Sequence, residues 1–331
     1  MRFLPDAEQT AFGRNLDRMF AAADTPSAVR AWARGEHGPG RELWARVAGA
    51  GVFGLAVPEA HGGSGLLPVE LGVAFVELGR HAAPGPLVET VAAAVLLGRF
   101  AGDGLAGAWL PRICTGQVMA SLAMPCGGPY ALDADAADAV LVVSGDPADD
   151  LHLARDCDPV QASLDPARRL ARPRDGELLA TGPGVREAAC CAADWAAFAT
   201  AAQALGVGLA LLDRTVGYAR QRTQFGVPIG SFQAVKHRLA DVLIGLEFAR
   251  PLLHGAAVAL AGRAPEASAE VAAAKVAACE AAYAAARTAL QVHGAVGYTA
   301  EYDLSLWIGK ARALRGAWGT PAECRAKVLH K

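Results

Sequence analysis

The chain has 331 residues, of which 53% are hydrophobic and 19% are charged, and its formal net charge is −2. That length allows two or three packed units, and the near-neutral charge argues against a nucleic-acid-binding protein. The charged N-terminus has no signal-peptide core, and no uncharged apolar run of about 18 residues predicts membrane insertion. We therefore expect a cytoplasmic protein.

The cysteines are scattered, and no pair has the CxxC spacing that a metal or redox site favours. We expect free, mostly buried thiols and no metal. The seven cysteines are Cys114, Cys126, Cys157, Cys190, Cys191, Cys279 and Cys324.

Residues 1–111 are predicted to form an N-terminal helical domain. Alanine, the best helix former, is abundant, and apolar residues recur at helical spacing. The predicted helices cover 6–23, 40–51, 68–78 and 87–100. A Gly- and Pro-rich loop, GVFGLAVPEAHGGSG, lies between the second and the third.

Residues 112–190 are predicted to form a small, truncated β domain. The β-branched run at 140–143 is typical of a strand. Short segments punctuated by Pro, Gly and Asp follow it, as in a domain of several short strands.

Residues 191–331 again show helical patterns, which predict a C-terminal four-helix bundle. Apolar residues follow Ser231, a suitable N-cap, at i, i+3, i+4, i+7 spacing. The predicted helices cover 194–220, 231–262, 265–293, 301–314 and 321–329.

The junction at 220–233, RQRTQFGVPIGSFQ, concentrates polar and aromatic side chains between two helical runs. Arg222 offers fixed positive charge, Gln224 and Gln233 offer neutral donors, and Phe225 offers a flat apolar face. Such a set suits a ligand with a phosphate and an aromatic ring. From composition alone, a solvated charged turn is the simpler alternative.

Three stretches resemble the acyl-CoA dehydrogenase family, in family order and at roughly family spacing. They are RTQFGVPIGSFQAVKHRLAD (222–241), QVHGAVGYTAEYDL (291–304) and VPEAHGGSGLLPVELGVAFVELGR (57–80). The resemblance implies a mainly α fold with a small β domain: an N-terminal helical domain, a reduced middle β-barrel and a C-terminal four-helix bundle. It also implies FAD-dependent α,β-desaturation of an acyl-CoA thioester.

In this family FAD is shared at a subunit interface, where one subunit seats the ring and its neighbour holds the nucleotide tail. The resemblance implies that this chain keeps the tail-binding residues, although Ala295 replaces one glycine of a usual pair. Those residues are Arg222, Gln224, Phe225, Gln233, Gln291, Gly294 and Gly297. The ring-binding motif is missing from SLAMPCGGPYALDAD at 121–135.

The catalytic carboxylate of the family also has no counterpart here. The usual position precedes a Gly-Thr pair and is Trp318, and the alternative position on the first bundle helix is Ala196. Neither side chain can accept a proton. Asp194 should face elsewhere on its helix, which leaves Glu301 as a weak candidate.

These losses resemble the base-less subunit of heteromeric acyl-CoA dehydrogenases, with Trp318 filling its own vacated pocket. The partner would be a homologous full-length subunit, and electron-transfer flavoprotein or a similar protein would accept the electrons. A homo-oligomer that works as a self-sufficient flavoenzyme with a relocated base, and a non-enzymatic scaffold, are the alternatives.

Overall fold

A computed structural model describes residues 4–100, 102, 104–145, 149–174 and 176–329. The N-terminal part is helical, as predicted, with two additional short helices, α2 and α6. Its helices are α1 (Ala7–Ala21), α2 (Thr25–Ala33), α3 (Gly38–Gly49), α4 (Pro68–Arg80), α5 (Leu87–Leu97) and α6 (Leu105–Cys114).

Helix α5 is buried along its whole length, so it has no solvent-facing side and no amphipathic pattern. It packs against α7 of the C-terminal part and against strand β3. Its interior position matters for the site, because its one acidic residue, Glu89, is carried into the core with it.

The strands are short, as the punctuated middle segment predicts. They are β1 (Ala56–Val57), β2 (Gly65–Leu66), β3 (Ala120–Ala123), β4 (Ala131–Leu132), β5 (Ala139–Ser144), β6 (Asp150–Ala154), β7 (Leu170–Ala171), β8 (Gly176–Thr181), β9 (Thr223–Gln224) and β10 (Val227–Pro228). The middle region forms a four-stranded sheet in the order β3-β5-β6-β8, in which only β3 and β5 run parallel. Strands β4 and β7 pair beside it.

The C-terminal part contains α7 (Pro183–Gln221), α8 (Gln233–Ala261), α9 (Ala267–His293), α10 (Leu304–Gly316) and α11 (Pro321–Leu329). Helix α7 begins well before the predicted residue 194, with Pro183 in its first turn, where the missing N–H is not needed. The predicted cap at Ser231 is wrong: its hydroxyl donates to the carbonyl of Pro228, and α8 begins at Gln233.

Helix α7 is the centre of the molecule and packs against α4, α5 and α9. Glycines allow α4 and α7 to cross at backbone contact, since a side chain at Gly79 or Gly206 would collide with the other helix. By length and composition α7 and α8 could each cross a membrane, but the apolar window of α7 is wholly buried inside the protein. All seven cysteines are free thiols, but the prediction that they are mostly buried is wrong: only Cys279 and Cys324 are buried, whereas Cys126 and Cys190 are exposed.

Candidate functional site

Trp318 lies on the turn between α10 and α11 and is only 7% exposed. Its ring packs on the backbone at Gly127, where an added Cβ would come within 2.9 Å of the indole. The indole N–H donates to Oε1 of Glu89 over 3.0 Å. A bulky aromatic side chain with a polar anchor therefore occupies the position that the resemblance assigns to the family's base.

Glu89 is the main residue that the sequence reasoning missed. It is 3% exposed, and Oε2 has no hydrogen-bond partner among the described residues. The guanidinium of Arg168 is the nearby cation, 3.9 Å from Oε1. A single carboxylate inside the apolar run LVETVAAAVLL was the signal that could have revealed it, because a wholly buried helix with one acid places that acid in the core.

A buried lysine holds the turn that carries Trp318 through a hydrogen bond to its backbone. Nζ of Lys275 donates to the carbonyl of Gly319 over 2.6 Å. Trp318 has φ +54°, an uncommon conformation for a large side chain. Glu323 accepts hydrogen bonds from the backbone and hydroxyl of Thr320, which lowers the pKa of Glu323. The carboxylate of Glu323 thus caps α11.

The alternative base position is equally closed. Ala196 is fully buried on α7. The carboxylate of Asp194 accepts from the hydroxyl of Ser268 and from Nζ of Lys327, each over 2.8 Å. Asp194 therefore ties α7 to α9 and α11.

Glu301 lies toward the opposite end of α7. It lines a cavity of about 380 Å³ with Tyr218 and Gln221 near the end of that helix. Tyr218 is 22 positions beyond Ala196, which at 1.5 Å per residue is about 33 Å. The structure does not bring Glu301 to Trp318, whose turn leads into α11 near Asp194.

The predicted nucleotide-binding residues of the 222–233 segment project into solvent. Strands β9 and β10 form a tight hairpin with Phe225 and Gly226 at its tip, both at positive φ. Phe225 is 91% exposed and meets Phe232 edge-on, with ring centroids 6.1 Å apart. Arg222, Gln224 and Gln233 are exposed as well. The hairpin and the residues that follow it thus present a charge, amides and an aromatic face outward.

The second predicted group surrounds a cavity of about 660 Å³ after α9. Gln291 and Gly294 line it together with Arg238 and Arg287. Sequence reasoning did not single out these two arginines, which make the cavity basic. Ala295, in place of the usual glycine, also lines it.

The two glycines of this segment have different roles. Gly294 has φ +65° and open space around it, so its requirement is conformational. Gly297 is buried, and a Cβ there would meet Cβ of His293 at 3.2 Å, so it serves packing. The His293 ring stacks on Tyr218 with centroids 4.1 Å apart, and burial lowers its pKa.

The middle region offers little for a flavin ring. The hydroxyl of Ser121 is buried and donates to the carbonyl of Leu132 over 2.6 Å, so it is already used inside the protein. Trp318 packs against the neighbouring segment at Gly127. Among the described residues, the side chains of the 222–233 segment suit the phosphate and adenosine end of FAD, whereas Ser121 and the segment at Gly127 do not offer a seat for its ring.

Comparisons with known proteins agree with this architecture. Residues 6–117 match the family description "Acyl-CoA dehydrogenase, N-terminal domain", and residues 183–328 match "Acyl-CoA dehydrogenase, C-terminal domain". The chain is 33% identical over 327 residues to acyl-CoA dehydrogenase IpdE2 of Mycobacterium tuberculosis, covering 96% of this chain and 95% of that protein. The chain belongs to the acyl-CoA dehydrogenase family, whose members are flavoprotein oxidoreductases of lipid metabolism.

Solved structures extend the similarity to heteromeric enzymes. A chain of the ChsE4-ChsE5 complex from Mycobacterium tuberculosis superposes with a TM-score of 0.85 at 26% identity, covering 100% of this chain and 98% of that one. A chain of the steroid ACAD Tcur3481-Tcur3483 superposes with a TM-score of 0.83 at 26% identity, covering 98% and 97%. Butyryl-CoA dehydrogenase from Megasphaera elsdenii, at 20% identity and a TM-score of 0.85, shares the fold.

Proposed function

We propose that this chain is the base-less subunit of a heteromeric acyl-CoA dehydrogenase. It supplies the nucleotide-tail half of an FAD site to a homologous full-length subunit, which supplies the ring-binding strands and the catalytic carboxylate. The reaction is α,β-desaturation of an acyl-CoA thioester. When bound, FAD accepts the hydride from the β-carbon of the acyl group.

The observation that carries the proposal is the buried Trp318 at the position of the family's base. Its hydrogen bond to Glu89 and its contact with Gly127 fill the space with protein. Opening the space would leave a buried carboxylate without its donor, which is unfavourable. In this proposal the pocket for the acyl chain and the proton acceptor therefore come from another subunit.

The exposed hairpin provides side chains for the nucleotide-tail half of the FAD site. Arg222 offers a planar guanidinium that can bind two phosphate oxygens at once. Gln224 and Gln233 can donate to the remaining oxygens, and Phe225 can stack on adenine. A chain that used these side chains internally would not leave Phe225 at 91% exposure.

Helix α8 offers an apolar face for the contact between subunits. Ile244, Phe248 and Leu252 recur every four residues, and Leu243 lies beside them. Phe248 is 70% exposed, and only 33% of the apolar window of α8 is buried. Exposed apolar faces of this kind mark protein–protein contacts.

The test is to purify the chain alone and together with homologous full-length family members, and to measure flavin per chain and turnover with acyl-CoA. We expect little flavin and no turnover from the chain alone, and one FAD per pair of subunits in an active complex. Arg222→Ala should weaken FAD retention in that complex by about tenfold or more, as loss of a charge-assisted contact predicts.

Arg46→Ala is the matched control, because Arg46 is an exposed arginine on α3, in the N-terminal part. It should leave FAD retention unchanged. One FAD per chain in a homo-oligomer of this chain alone, with turnover, would overturn the proposal. Equal FAD retention in the Arg222 and Arg46 variants would remove the role of the hairpin.

A second candidate function, a self-sufficient flavoenzyme, is supported by the position of Glu89. Glu89 is a carboxylate in the chain's own vacated pocket, so a self-sufficient enzyme with Glu89 as relocated base would need only a movement of Trp318. That enzyme would be yellow when purified alone, and Glu89→Gln would abolish its turnover while flavin stayed bound. Absence of turnover from the isolated wild-type chain excludes it.

A further inference from the structure

A separate cavity of about 280 Å³ lies between α1, α4, α7 and α8. It is distinct from the vacated pocket and from the FAD-binding segments, and it shares no lining residue with either. The lining is mostly apolar, and its members from three helices include Val76, Phe198, Leu205, Leu253 and Ala257. The volume is just below the roughly 300 Å³ at which ligand pockets begin, so it suits a small molecule.

Basic side chains line the same cavity. Arg14 comes from α1, and Arg250 and His254 come from α8. Among the described residues, Nε of Arg14 donates to the carbonyl of Thr10 on its own helix, and Nε of Arg250 donates to Glu247, which is exposed. Two arginine side chains that line an apolar cavity from different helices suit an anionic group.

Glu77 gives an independent sign of a ligand at this cavity. Its Oε2 is buried without a hydrogen-bond partner among the described residues, although Nε of Arg80 is 3.6 Å away. Asp17 and His81, its other neighbours, pair with each other over 2.8 Å. Burial raises the pKa of Glu77 to about 7, while Arg80 opposes the shift. A protonated Glu77 would find an acceptor in a bound carboxylate.

We propose that this cavity binds a small amphipathic carboxylate. The hydrocarbon part lies between Val76, Phe198 and Leu253, and the carboxylate binds Arg14 and Arg250 and accepts a hydrogen bond from Glu77. The cavity shares no lining residue with the cavity beside Gln291 and Gly294, so it would be a second ligand site on the subunit.

The experiment is calorimetric titration of the purified chain with octanoate and, in parallel, with 1-octanol, which has the same chain length without the charge. Octanoate should bind saturably and more tightly than 1-octanol. Arg14→Ala and Arg250→Ala should each weaken octanoate binding about tenfold and leave 1-octanol binding unchanged. Arg46→Ala, on α3, should change neither.

Octanoate binding measured over a range of pH values tests the role of Glu77 separately from that of the two arginines. The titratable and charged groups that face it are Arg80 on its own helix, His81 just after that helix, Arg14 and Asp17 on α1, and Arg250 and His254 on α8. Octanoate binding should weaken about tenfold between about pH 6 and about pH 8, because Glu77 ionises beside the bound anion. Glu77→Gln keeps a neutral donor and should remove that dependence.

The proposal is overturned if octanoate does not saturate the chain at millimolar concentration, or if 1-octanol binds as tightly as octanoate. It is also overturned if Arg14→Ala and Arg250→Ala bind octanoate like the wild type. Because Arg14 is exposed on α1, its variant should fold normally even if the Arg250 variant does not.

Discussion

Two regions of this chain treat their polar and aromatic residues in opposite ways. At Trp318 two polar groups bond inside the protein: the indole N–H donates to Glu89, and Lys275 donates to the carbonyl of Gly319. On the 222–233 hairpin the arginine, glutamines and phenylalanine all face solvent. The first region buries its aromatic side chain within one chain, whereas the second leaves an aromatic side chain exposed to solvent.

Under the proposed function, this contrast is what we expect of a subunit that has lost its catalytic base and kept its place in an assembly. Filling a vacated pocket adds core contacts, so the loss of a base need not destabilise the fold. The exposed side chains of the hairpin bury little surface in the fold and so contribute little to stability. Substitutions around Trp318 should therefore lower the free energy of unfolding more than substitutions in the hairpin do.

The largest effect is expected from Trp318→Ala. The substitution opens a cavity and leaves Glu89 without its donor, so the free energy of unfolding should fall by about 3 to 5 kcal/mol. Chemical denaturation measures it. Trp109→Ala is the matched control, since Trp109 is only half-buried. Equal losses for the two variants would contradict a sealed pocket around Trp318.

The second largest effect is a pH dependence of the free energy of unfolding that arises from Asp133. This residue is fully buried, and Glu89 is among the charged groups that act on it. Burial raises its pKa to about 7 from 3.8, and Glu89 adds to the shift. Because the folded state holds this proton more tightly than the unfolded state, the group's contribution to stability is greatest below pH 3.8 and falls as pH rises toward about 7.

Asp133→Asn should remove this dependence. The amide keeps an acceptor for the backbone N–H of Arg169, now 3.0 Å from Oδ1, and Asn tolerates the φ of +53° at this position. Relative to the wild type, the variant should gain about 2 to 3 kcal/mol between about pH 5 and about pH 8. A constant difference in the free energy of unfolding across that range would show that Asp133 does not titrate there.

Glu89 itself should give a smaller change. Glu89→Leu leaves the buried indole N–H of Trp318 without an acceptor and should destabilise the chain by about 1 to 2 kcal/mol. Glu89→Gln retains an acceptor oxygen and should be less harmful. Thermal or chemical unfolding of both variants checks the order, and a more stable Leu variant would show that the bond to Trp318 contributes little.

The sequence predicted the helical segments and the family because both depend on local patterns. Helical spacing located α1, α4 and α9 to within a few residues, and three motifs identified the family. The Trp318–Glu89 bond joins positions 229 residues apart, so no local pattern shows it. The same is true of the cavity between α1 and α8, which only the packing of four helices creates.

The smallest effect on stability is expected at the hairpin, where Phe225→Asn should change the free energy of unfolding by less than about 0.5 kcal/mol. The ring is almost wholly exposed, so little apolar burial is lost, and asparagine favours the φ of +55° found here. In the flavin-containing complex the same variant should lose a stacking face and retain FAD less well. Unfolding of the isolated chain measures the effect on stability, and flavin release from the complex measures the effect on FAD retention. A loss of more than about 1 kcal/mol in the isolated chain would mean that Phe225 serves its own fold, and the contrast between the sealed pocket and the donated hairpin would no longer hold.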